Sequence, residues 1–94
     1  MNETPFYTKL LVLPDGASYL RYQERRYLLR KETLLGGKVL KLYAQALGSN
    51  DIVSGNYYPT LKNGILKPCE MSEKKVIDFV LHAQNEDIPK ITGR

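Results

Sequence analysis

One cysteine, one histidine, two phenylalanines and no tryptophan leave this 94-residue chain with little of the usual equipment for chemistry. The lone Cys69 excludes an intramolecular disulfide framework and points to a reducing compartment. One Cys, one His and scattered carboxylates give no ligand cluster at useful spacing, so no metal is expected. No cofactor is expected either. Gly36-Gly37 and Gly48 stand without a P-loop lysine and hydroxyl or a dinucleotide-binding glycine pattern. Apolar runs stop at four residues, as at Leu10 to Leu13, far short of a membrane span. The start, Met1-Asn2-Glu3-Thr4-Pro5, lacks the basic and then apolar regions of a secretory signal. The expectation is a cytoplasmic protein with no membrane contact.

A nucleophile–base pair of Cys69 and His82 fails on distance. If a helix starts at Ser72, His82 lies ten helical steps on, about 15 Å at the standard rise. Cys69 then sits beyond the opposite end. Beside a helix N-terminus it reads either as a mildly reactive thiol or as a small buried apolar residue after Pro68. His82, near the helix C-terminus, reads as a surface or boundary residue. No enzyme is expected, a site built on unrecognised carboxylates or tyrosines being the third reading of function.

What the chain does have is arginine beside tyrosine. Arg21 to Lys31 reads Arg-Tyr-Gln-Glu-Arg-Arg-Tyr-Leu-Leu-Arg-Lys, five of the 14 basic residues around Tyr22 and Tyr27. The net charge of +4 lies wholly in the first half, since residues 50–94 balance to zero. Such a surface attracts anionic partners at a strength that falls with salt. Arginine and tyrosine together anchor protein interfaces or grip and stack on nucleic acid. A second candidate surface is Asn50 to Pro59, where Ser54, Asn56, Tyr57 and Tyr58 bracket Gly55 and join polar groups to aromatic rings, the chemistry of recognition loops. The candidate binding residues are therefore Arg21, Tyr22, Arg25, Arg26, Tyr27, Arg30, Asn56, Tyr57 and Tyr58.

The local patterns predict a small α+β domain over residues 1–85 and a flexible C-terminal tail over 86–94. Phe6 to Leu13 reads as a strand ended by Pro14-Asp15-Gly16. Residues 17–35 admit two readings. One is a hairpin, Tyr19 to Gln23 and Arg26 to Lys31, turning at Glu24-Arg25; the other is a helix stopped by Gly36-Gly37. On the hairpin reading Arg21, Arg25 and Arg30 are exposed while Leu20 and Leu28 are buried. Residues 38–47 alternate as a strand, with Val39 and Lys41 on one face and Leu40 and Leu42 on the other. Ile52 to Ser54 is a short strand followed by a turn or bulge at Gly55-Asn56. Asn63-Gly64 predicts a two-residue type I′ hairpin between Thr60–Lys62 and Ile65–Lys67. Ser72 caps a helix whose stripe of Val76, Ile77, Phe79, Val80 and Ala83 must lie on the sheet.

The expected fold is a small curved antiparallel sheet or partly open barrel with one C-terminal amphipathic helix. If 17–35 is helical, it is a two-helix α+β sandwich. The expected function is a non-enzymatic interaction module that binds another protein through its Arg/Tyr-rich face. The alternative is a weak nucleic-acid-binding small β domain.

Overall fold

A computed structural model describes residues 4–62 and 64–86. It is an open six-stranded antiparallel sheet with two helices. Helix α1 (Pro5–Val12) is followed by strands β1 (Gly16–Tyr22), β2 (Arg25–Leu34), β3 (Val39–Ala46), β4 (Ile52–Tyr58) and β5 (Ile65–Pro68). Helix α2 (Glu73–His82) and a two-residue strand β6 (Gln84–Asn85) complete the order. The sheet runs β5-β4-β3-β2-β1-β6, a meander whose far edge is closed by the last strand. Of the tail expected at 86–94, Glu86 is held against β1 by its N–H donating to Tyr19 O at 2.9 Å, while residues 87–94 and the turn residue Asn63 lie outside the described residues.

Residues 17–35 are a hairpin, not a helix. The chain reverses at Gln23-Glu24, with φ of 52° and 64°, one residue earlier than the expected Glu24-Arg25. Both central residues take the left-handed conformation of a type I′ turn without glycine. The register pairs Tyr22 with Arg25 and Leu20 with Tyr27. A two-residue loop sets even positions of β1 beside odd positions of β2, so Leu20 shares its face with Tyr27 and Leu29. Leu28, expected in the core, instead pairs with Tyr19 on the other face and is half-buried. Arg21, Arg25 and Arg30 are exposed as expected.

The first element overturns its expectation. Pro5–Val12 is a helix, not a strand. The Tyr7 N–H donates to Thr4 Oγ1 at 3.2 Å, and Pro5 stands at the first helical turn, where its missing N–H costs nothing. Phe6 and Leu10, four apart, bury one side of it. Leu13 is extended, as a residue before proline must be, and ends the helix. Lys31 reaches up from β2, only 3% exposed, and its Nζ donates to Leu10 O at 2.7 Å and Leu13 O at 2.6 Å. Carbonyls that a helix C-terminus leaves without partners are thereby satisfied from the sheet. Burial pulls the Lys31 pKa down, while Asp15 at 3.8 Å pulls it back up.

Two further expectations fall on the β4–β5 side. β4 runs unbroken through Gly55-Asn56, with no turn there. A Cβ at Gly55 would meet Lys67 O and Pro68 Cα at 3.0 Å, so the glycine lets β5 approach rather than bending the chain. Residues 60–62 form no strand. Instead β5 pairs back on β4, Tyr57 opposite Leu66 and Asn56 opposite Lys67, across a longer connection than a two-residue turn.

Helix α2 agrees with its pattern. Ser72 Oγ accepts from the Lys75 N–H at 3.2 Å, and Val76, Phe79 and Val80 are buried. α2 touches α1 and, like it, lies on the sheet face formed by Leu20, Tyr22, Tyr27, Leu29, Leu42, Ala44 and Val53. Tyr22, Tyr27 and Phe79 meet edge to face with ring centroids 5.0–5.9 Å apart, a favourable arrangement for aromatic rings.

Candidate functional site

Strand alternation divides the candidate residues between two faces. Tyr22, Arg25, Tyr27 and Tyr57 fall on the helix-covered inner face; Arg21, Arg26, Arg30, Asn56 and Tyr58 fall on the outer one. The Arg/Tyr segment is therefore not one surface.

Inside, the tyrosines are engaged. Tyr27 Oη donates to Asp51 Oδ2 at 2.6 Å, and Asp51 Oδ1 accepts from Lys75 Nζ at 2.7 Å. Tyr22 Oη donates to Asp78 of α2, whose other oxygen lies 3.6 Å from His82 Nε2. Burial first, and then the Asp78 carboxylate, push the Tyr22 hydroxyl up to about 12. Tyr27 is raised by burial and by Asp51, with Arg25 acting the other way. Asp51 is held below the usual carboxylate range, chiefly by Lys75 and then by Tyr27. These phenols stay protonated as donors, and together they fasten α2 and the β3–β4 connection to the hairpin. Tyr57 is buried too, its ring 5.2 Å from Phe6 and 5.5 Å from Tyr7.

Outside, the register lays neighbouring strands into rows. Tyr19, Leu28, Gln45 and Ile52 form one; Ala17, Arg30, Tyr43 and Ser54 the next; Glu32, Lys41, Asn56 and Lys67 a third. Tyr43 is 43% exposed, directly beside exposed Arg30. Tyr43 and Ile52 also line a groove of about 520 Å³ bounded by Asp51, Ser54, Cys69 and Lys75. Cys69 lines it as an exposed free thiol, not as the buried small residue expected after Pro68. At the hairpin end Arg21 and Arg26 pair across the strands, and the Glu86 carboxylate joins them at 3.2 and 3.0 Å. Those contacts, with Arg26 first, hold the Glu86 carboxyl below its ordinary range. Arg26 also lies 6.0 Å over the Tyr19 ring, within reach of a cation–π contact.

Sequence reasoning did not single out Tyr43, Leu28, Lys41, Lys67 or Ile52 for this surface. The alternation in β3 already placed Lys41 opposite Leu42. Extending it two residues would have brought Tyr43 to the same outer face.

Among the described residues no group of three His, Cys, Asp or Glu side chains is placed to hold a metal ion. No helix among them is long and apolar enough to cross a membrane. No family model, no curated protein and no solved structure matches this chain.

Proposed function

We propose that this chain is a non-enzymatic interaction module of the cytoplasm that binds another protein through the helix-free face of its sheet. The observation that carries the reading is the Arg30–Tyr43 pair, exposed side by side near the middle of that face. Tyrosine and arginine dominate binding hot spots because each offers a large apolar body with a polar end. Tyr19, Leu28, Ile52 and Tyr58, all half-buried, supply apolar surface around the pair. Five cationic side chains (Arg21, Arg26, Arg30, Lys41, Lys67) stand against the carboxylates of Glu32 and Glu86, so an acidic partner surface is the complementary one.

The test uses immobilised protein in native extract, with and without nuclease, beside the variants Tyr43→Ala and Arg30→Ala. The expected result is a captured protein that survives nuclease and is lost in both variants. Capture abolished by nuclease would transfer the face to nucleic acid. Capture retained in both variants would place the contact elsewhere.

A further inference from the structure

The hairpin brings two arginines opposite each other on the outer face, Arg21 on β1 and Arg26 on β2. Like charges directly opposed on neighbouring strands repel, so this pair calls for an anion between them. Guanidinium groups suit a carboxylate, because their N–H groups form a fork matched to its two oxygens. A carboxylate is already seated there. Glu86 Oε2 accepts from Arg21 Nη2 at 3.2 Å, and Glu86 Oε1 accepts from Arg26 Nε at 3.0 Å. It arrives on an extended segment: β6 pairs Asn85 with Leu20 and Gln84 with Arg21, and the Glu86 N–H donates to Tyr19 O at 2.9 Å. The hold is slight. β6 is two residues long, and the arginine side chains remain 52% and 45% exposed.

We propose that Arg21 and Arg26 form a carboxylate-binding fork for an acidic segment of a protein partner, and that Glu86 occupies the fork in cis until that segment displaces it. The proposal rests on the reading of the outer face as a partner surface; it adds the partner's charge and an internal competitor. Solvent-exposed ion pairs are screened and weak, which makes Glu86 displaceable. A partner carboxylate tethered by contacts at Arg30 and Tyr43 competes at high effective concentration. A second copy of this chain is a poor occupant, because its own outer face carries the same cationic excess.

The probe is fluorescein-labelled hexaglutamate, followed by anisotropy at low salt. Glu86→Gln should tighten binding about two- to fivefold, the range expected for removing one exposed ion-pair competitor. Glu32→Gln changes the net charge by the same amount away from the fork and should do less. Adding Arg21→Gln and Arg26→Gln to Glu86→Gln should abolish the gain. The proposal is overturned if Glu86→Gln binds no tighter than the wild type, if Glu32→Gln matches it, or if the gain survives loss of both arginines. A gain seen only with a labelled oligonucleotide would overturn the acidic-protein occupant and make the fork a phosphate site. The two proposals fail separately. An unchanged Glu86→Gln titration with capture still lost in Tyr43→Ala and Arg30→Ala removes only the fork. Capture retained in those variants, together with the predicted Glu86→Gln gain, removes only their place at the centre of the face.

Discussion

The two faces of this sheet are made by the same strands and differ in how their polar groups are used. On the inner face most side chains are apolar, and three of the large polar ones are spent within the molecule. Lys31 holds carbonyls of α1, Tyr22 binds Asp78, and Tyr27 binds Asp51. On the outer face Arg30, Lys41 and Lys67 are exposed, and Tyr43 stands among them. Burying a polar group without a partner costs more than a hydrogen bond returns, which accounts for the pairing of the inner three; Ser18 Oγ on the inner face is the exception among the described residues, buried without a hydrogen-bond partner. The outer ones remain in water and available to a partner. Stability should therefore reside on one face and recognition on the other.

The sharpest way to break that division is to empty the inner face. Phe79 and Val80 are 0% and 1% exposed, and Phe79 joins Tyr22 and Tyr27 in the aromatic cluster. Phe79→Ala should lower stability by about 3–5 kcal/mol, and Val80→Ala by a smaller amount. Both would appear as lower denaturation midpoints. Unchanged midpoints would mean that α2 is not what covers the sheet.

Much of this sorting was legible beforehand. The alternation of Leu40, Leu42 and their neighbours sets the faces of β3, and Ser72 with its apolar stripe sets α2. Two kinds of information were hidden. Phe6 to Leu13 is apolar enough to read as a strand, and the decisive signals, Thr4 as cap and Pro5 at the first turn, lie just before it. The Arg/Tyr segment looked like one surface because neighbours in sequence were read as neighbours in space. In a strand they point apart, so Arg26 and Arg30 face out while Tyr27 faces in. The Glu86 contact joins residues 60 and 65 positions apart, and no local pattern encodes it.

Alkaline titration tests the inner polar pairs. Tyr22 holds its proton to about pH 12 in the folded protein, against an ordinary value of 10.0. Folded protein keeps the proton over a range in which unfolded chain has released it. The resulting stability is complete below pH 10 and is lost between pH 10 and about 12, by about 1.4 kcal/mol per pH unit for one proton. Denaturant midpoints measured across that range should fall more steeply for the wild type than for Tyr22→Phe. Parallel slopes would show that burial and the Asp78 carboxylate do not raise the Tyr22 hydroxyl. Absorbance near 295 nm should likewise show Tyr22 among the last of the seven tyrosines to ionise.

The smallest expected change is the most discriminating. The double substitution Arg30→Ala with Tyr43→Ala removes an exposed cross-strand pair of the outer face, and neither side chain closes the core. Surface substitutions of this kind shift stability by about 0.5 kcal/mol or less. The loss of cross-strand contact between them sets the upper end of that range. The midpoint should therefore stay close to the wild type while partner capture disappears. A large fall in stability would show that the outer face also holds the sheet together, and loss of capture could then reflect unfolding. An intact midpoint with lost capture would separate the two faces by function, because the same pair would then matter to the partner and not to the fold.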